Sequence, residues 1–218
     1  MIELYFSPGA CSFVPHVALE AIRASTGRGF EPRLVKLHRA EHRTPEYLAL
    51  NPEGQVPMLV VDGKVLTQIV AICEYLDLSC PEAGLLPAEP WARAQALSML
   101  AYFNNTAHPT FSHVFMPHKF AGDETAQAEV KRAARVRYEE ILKRIDGIVA
   151  AAPGHFLLGE RLSVLDPYAL TLLRWGGLAE IDPDSLPRYK AYVDRLAQQP
   201  AVAAAIERER LQLNVFKK

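Results

Sequence analysis

Every stretch of this 218-residue chain that reads as a β-strand lies before residue 70, and no strand pattern follows Trp91. Strands that are all early in the chain must pair with one another, so they form one small sheet near the N-terminus. The later helical segments then have to bury their apolar faces mainly against each other. The expected architecture is a compact α/β unit over residues 1–80, a linker over 81–90 and an all-helical unit over 91–218.

The first unit can be read element by element. Ile2-Glu3-Leu4-Tyr5-Phe6 is a strand, and Ser7-Pro8-Gly9-Ala10 breaks it. Helical spacing runs from Phe13 to Ala24, with Gly27 as C-cap. Phe30 to Leu37 reads as a second strand whose Pro32 end belongs at an edge. Thr44 and Pro45 suit the N-cap and first position of a short helix that closes at Asn51-Pro52-Glu53-Gly54. Gln55 to Val61 and Lys64 to Thr67 are strands joined by Asp62-Gly63, a hairpin dipeptide. Gln68 to Leu78 is helical, with Ile69, Ile72, Cys73 and Leu76 on one face, so Cys73 reads as a core residue. The resulting order is that of a thioredoxin-like domain.

Pro81, Gly84, Pro87 and Pro90 mark the linker. Trp91 to Phe120 is a long helical stretch expected to break near Pro109 and Pro117. Asp123 to Ala151 is a second long helix. Ser163-Val164-Leu165-Asp166 has the form of a capping box, and the helix behind it is apolar almost all round, which places it at the centre of its unit. Leu186 to Leu196 and Ala201 to Arg210 are the last two helices.

Composition narrows the function classes. A net charge of −1 offers neither a nucleic-acid footprint nor an anionic-membrane patch. The three cysteines, Cys11, Cys73 and Cys80, form no CxxC and no metal-ligand spacing, so no metal site and no disulfide scaffold is expected, and the usage fits a reducing cytosol. No apolar run approaches the ~20 residues needed to span a bilayer. The chain opens directly into a strand, so no leader is expected.

The chemistry-bearing candidate is Cys11, at a strand-to-helix switch. Unpaired N–H groups and the dipole of a helix N-terminus favour a thiolate, so a lowered thiol pKa is expected there. The alternative is a small buried core cysteine. The basic run His38, Arg39, His42, Arg43 reads as a solvated loop, and His16 as structural.

Four motifs in order resemble the cytosolic glutathione transferases, most closely the bacterial beta class: Tyr5-Phe6-Ser7-Pro8-Gly9-Ala10-Cys11-Ser12, Asn51-Pro52-Glu53-Gly54-Gln55-Val56-Pro57, Leu66-Thr67-Gln68 leading into Ala71-Ile72, and Gly159 to Asp166 with Leu173-Arg174-Trp175 behind it. The resemblance implies a thioredoxin-like glutathione-binding domain followed by an all-α domain, glutathione as co-substrate, a small hydrophobic electrophile or mixed disulfide as second substrate, and a cytoplasmic homodimer. It implies that Cys11 contacts the glutathione sulfur, and that a cis Val56-Pro57 turn pairs with the cysteinyl part of the peptide. Gln68 would hold the γ-glutamyl end. His108 would lie near the sulfur, with Asn105 lining the same cleft. The second-substrate wall would form around Tyr102, Phe103, Phe111, Phe115 and Trp175. Two positions depart from the pattern: Ile69 stands where the family has Ser or Gly, and Ala101 where it often has Asn. A missing hydroxyl at position 69 costs a charge-assisted hydrogen bond of roughly 1.5–3 kcal/mol. These departures keep a second function open, a non-catalytic binding protein with a weakened glutathione site.

Overall fold

The computed structural model describes residues 1–217. A four-stranded mixed sheet, in the order β2-β1-β3-β4, is built from β1 (Ile2–Phe6), β2 (Glu31–Leu34), β3 (Met58–Val61) and β4 (Lys64–Thr67). β1 runs parallel to β2, with Tyr5 opposite Arg33, and antiparallel to β3, with Leu4 opposite Leu59. Asp62 and Gly63 both adopt positive φ, 48° and 80°, as a two-residue turn between right-twisted strands requires. Two strands are shorter than the sequence suggests. β2 stops at Leu34, because Leu37–Arg39 closes into a 3-10 turn, and β3 starts only after the cis Val56–Pro57 peptide.

Helices α1 (Phe13–Thr26), α2 (Pro45–Leu50) and α3 (Ile69–Ser79) complete this α/β unit. The Thr44 hydroxyl accepts from Tyr47 N–H at 3.3 Å, the N-cap its position promised. The rest of the chain is helical: α4 (Pro90–Tyr102), α5 (His108–Phe115), α6 (Glu124–Ala150), α7 (Leu165–Leu178), α8 (Pro187–Leu196) and α9 (Pro200–Glu209). Among the described residues, no strand of this region joins the sheet. The thioredoxin-like unit followed by an all-helical domain is therefore the observed architecture, and α7 occupies the centre of the second part, buried from Leu165 to Leu173.

Two features of the helical part bear on function. The break anticipated near Pro109 is a π-helical turn, Phe103–Ala107, inserted between α4 and α5. Its wider turn rotates the residues that follow relative to α4. At the start of α7, Asp166 is buried and accepts from the backbone N–H groups of Leu157 (2.9 Å) and Ser163 (2.6 Å) and from the Ser163 and Tyr192 hydroxyls. One carboxylate thus anchors the loop before α7 and joins it to α8. Among the described residues, no helix is long and apolar enough to cross a membrane, and no three His, Cys, Asp or Glu side chains gather as a metal site would require.

Candidate active site

The loop Ser7–Ser12 is held from both sides. The Ser12 hydroxyl accepts from Ser7 N–H at 3.1 Å and donates to Ser7 carbonyl at 3.2 Å, which closes the loop on itself. Gly9 sits at φ +72°, and a Cβ there would come within 2.7 Å of the Arg174 guanidinium. Its N–H donates to Glu209 Oε2 at 3.0 Å, and its carbonyl accepts from Trp175 Nε1 at 2.9 Å. The other Glu209 oxygen meets His16 Nδ1 at 2.8 Å, with both side chains fully buried. α7 and α9 therefore grip the backbone two residues before Cys11. The structural reading of His16 agrees with this arrangement.

Cys11 Sγ donates to Val56 carbonyl at 3.6 Å, across the cleft between the two loops. The expectation of a lowered thiol pKa is corrected here. Burial pushes the Cys11 thiol up to about 12, and the N–H groups of Cys11 and Ser12 only partly offset it. The thiol is 8% exposed, so the lost hydration outweighs what the helix N-terminus returns. In the free protein Cys11 is a neutral hydrogen-bond donor. Cys73 is fully buried beneath α1, as its helical spacing implied.

Val56 and Pro57 lie on a loop braced by α2. Tyr47 hydroxyl and Asn51 Nδ2 both donate to Gln55 carbonyl, at 2.6 and 2.8 Å. Gly54, at φ +58°, packs against His42 carbonyl and Arg43 guanidinium, either of which a Cβ would approach to 2.8 Å. Part of the basic run thus supports this loop rather than simply facing solvent.

Gln68 is exposed at positive φ, 72°, immediately before α3, and no side chain caps that helix. The first N–H groups of α3 are consequently open to an anion. Ile69 is 4% exposed and its side chain turns into the main core. The branched group does not stand over the N–H.

His108, on the first turn of α5, has its ring 4.7 Å from the Trp175 ring, and Trp175 is the residue that holds Gly9. Burial holds its imidazole down to about 4, so the ring is neutral. Its Nδ1 lies 3.1 Å from the Tyr168 hydroxyl. Asn105 is exposed and accepts from Asn104 Nδ2 at 2.9 Å; the residue that meets Tyr168 is Asn104, whose Oδ1 accepts from the Tyr168 hydroxyl at 3.1 Å. The π turn explains why: its one extra residue brings position 104, rather than 105, onto the side of His108. Beyond His108, Trp175, Phe111 and Phe115 stack in sequence at 4.6 and 5.5 Å, with interplanar angles of 12° and 17°. Tyr102 is drawn away, under the Arg144 guanidinium at 4.3 Å, and Phe103 is fully buried.

Glu209, Tyr168 and Asn104 carried no functional signal in the sequence, and Arg174 only as part of the Leu173-Arg174-Trp175 motif. Glu209 lies in a charged Glu-Arg-Glu-Arg run that reads as solvated surface, and only the packing of α9 on α1 reveals its partner.

The thiol thus lies beside a cis-proline turn, with an uncapped helix N-terminus at the same end of the sheet. The profile described as glutathione S-transferase, N-terminal domain, matches residues 2–78, and the one described as glutathione S-transferase, C-terminal domain, matches 103–200. The chain is 32% identical to glutathione S-transferase GstA of Escherichia coli O157:H7 over 96% of its own length and 100% of that protein's. It belongs to the glutathione S-transferase family. Among solved structures, a sphingomonad glutathione S-transferase complexed with glutathione is 35% identical with a TM-score of 0.81, covering 96% of this chain and 100% of that one. The beta-class enzyme of Sphingomonas chungbukensis is 32% identical with the same score and coverage.

Proposed function

We propose that the protein is a glutathione transferase that presents the glutathione thiolate to a small hydrophobic electrophile or a mixed disulfide. The observation that carries this reading is the Cys11–Val56 contact at 3.6 Å beside the cis Val56–Pro57 bond, with the uncapped start of α3 at the same end of the sheet. A short peptide thiol that docks along Val56 exchanges main-chain hydrogen bonds as an added strand does. Its γ-glutamyl carboxylate then reaches the N–H groups at Ile69 and Val70 beside Gln68, and its sulfur lies by Cys11 and His108. Asn105 stands at the rim, next to Asn104. Cys11, as a neutral donor, supplies a hydrogen bond to the thiolate rather than a competing negative charge. With Val14 in place of a second cysteine, disulfide chemistry takes its second thiol from glutathione.

Phe115, exposed and stacked on the buried Phe111 and Trp175, is the apolar surface offered to the second substrate. It suits a flat apolar electrophile of the kind removed in detoxification. Residues 1–80 form the glutathione-binding domain, 81–90 the linker and 91–218 the helical domain. Tyr75 and Leu78 on α3 and Trp91 on α4 are exposed, Trp91 by 72%, and supply the apolar contact of a homodimer. A cytoplasmic location accords with three unpaired cysteines. Titration calorimetry with glutathione, followed by a conjugation assay with chlorodinitrobenzene, tests the reading. Absence of both heat and product overturns it.

A further inference from the structure

The tyrosine behind His108 and the asparagine behind that tyrosine form a chain with a defined direction. The Tyr168 hydroxyl has one proton, and it donates that proton to Asn104 Oδ1 at 3.1 Å. The Asn104 amide is itself oriented, because its Nδ2 donates to Asn105 Oδ1 at 2.9 Å, which leaves Oδ1 to face Tyr168. The remaining contact of the hydroxyl, 3.1 Å from His108 Nδ1, must then be one in which the phenol oxygen accepts. A neutral imidazole has a single N–H, so that proton sits on Nδ1 and Nε2 has a bare lone pair. Nε2 makes no hydrogen bond within the protein and is not among the buried unpartnered atoms, so it opens to solvent, on the side of the ring away from Tyr168.

We propose that Tyr168 and Asn104 are positioning residues that hold His108 in its Nδ1–H form, so that Nε2 serves as the base for the glutathione thiol. This rests on the glutathione transferase reading above. The step balances. Nε2 takes the proton of the S–H bond, giving an imidazolium and a thiolate. The thiolate forms the C–S bond with the aromatic carbon of chlorodinitrobenzene and chloride leaves with the electrons of the C–Cl bond. The imidazolium then returns its proton to water. The new thiolate is the negative charge that a half-buried imidazolium needs beside it. The titratable groups around His108 are the Tyr168 phenol on α7 and the Cys11 thiol of the opposing loop, which lies within electrostatic range of that phenol. No charged side chain contributes to the titration of His108, which burial alone displaces. The tautomer is therefore set by hydrogen bonding.

The arrangement is rigid where it has to be. Tyr168 is fully buried with its ring edge-on to Phe103 at 5.9 Å, so the phenol cannot turn from the imidazole without repacking the core. The π turn brings Asn104 and His108 onto the same side, towards this one hydroxyl.

The test combines long-range proton–nitrogen correlation spectra of the His108 ring with rates. In the wild-type free protein the proton is expected on Nδ1. Tyr168→Phe keeps the ring and removes only the oxygen. It should give a mixture of tautomers and lower kcat by about tenfold to a hundredfold, within what a positioned base contributes, while the KM for glutathione is unchanged. Asn104→Leu should do the same without touching His108. Asn104→Asp, which keeps an acceptor for the phenol, should restore both the tautomer and the rate. A wild-type proton on Nε2, or unchanged tautomer and rate in folded Tyr168→Phe, overturns the proposal. Because the spectra need no substrate, an Nδ1–H ring in a protein that conjugates nothing would refute the transferase reading and leave the tautomer assignment standing.

Discussion

Ile69→Ser is the substitution on which the sequence and the structure part most sharply. On the sequence alone it restores the hydroxyl that relatives offer to the γ-glutamyl carboxylate, and glutathione affinity should rise by about tenfold to a hundredfold, from roughly 1.5–3 kcal/mol. In the structure the Ile69 side chain is 4% exposed and belongs to the main core with Ile72, Cys73 and Leu76. Truncating an isoleucine in such a place costs about 2–5 kcal/mol, and a serine hydroxyl left without a partner there adds about 1 kcal/mol or more. The net loss in the unliganded protein is therefore about 3–6 kcal/mol. For a chain of this size each kcal/mol moves Tm by about 2–4 °C, so melting should fall by about 6–24 °C. The affinity gain is limited because the start of α3 already has no side-chain cap and its N–H groups are free to bind the carboxylate. It should stay near the low end of the charge-assisted range, about tenfold, because position 69 faces the core and a hydroxyl there must turn back towards the carboxylate. The assay is a pair of thermal melts without ligand and a pair of glutathione titrations at one pH and salt. An unchanged Tm would mean that Ile69 does not pack in the core. A gain near a hundredfold would mean that the branched side chain obstructs the carboxylate after all.

The raised Cys11 thiol has its own pH signature. Its folded pKa, about 12, lies above the ordinary 9.0, so its contribution to stability is complete below pH 9 and is lost as pH rises from 9 through 12; the gap between wild type and Cys11→Ser in urea unfolding should shrink over that range. Oxidised glutathione should label Cys11, slowly near neutral pH, and leave the fully buried Cys73 unmodified, as peptide mapping by mass spectrometry would show. Trp175→Phe keeps the aromatic stack but removes the 2.9 Å hydrogen bond to Gly9 carbonyl, and should cost about 1–2 kcal/mol of stability with a weakened affinity for glutathione in calorimetry. Leu78→Glu places a charge on a side chain 64% exposed, and should shift the mass in sedimentation from twice 24.2 kDa towards a single chain with the helical circular dichroism intact.

Local chemistry was enough to determine much of this protein. The alternation and turn residues that define β1, the Asp62-Gly63 hairpin, the Thr44 cap and the buried face of α3 all act within a few residues, so they are written in consecutive positions. The same holds for the division into a strand-bearing unit and a helical one, whereas the meeting of Cys11 with Val56-Pro57, 45 residues apart, was implied only by the family resemblance. What depends on atoms distant in the chain could not be read this way. Whether a helix N-terminus or burial governs the Cys11 thiol is decided by how closely the folded chain covers it, and burial prevails. Whether Ile69 blocks or clears the start of α3 turns on which way a side chain packs. Gly9 is gripped by Glu209, two hundred residues away in sequence, and His108 is oriented by Tyr168 across a helix pair. A hydrogen bond of that kind depends on a separation in space that only the packing of α7 and α9 against α1 and α5 sets, and neither partner carries a mark of the other in its own neighbourhood.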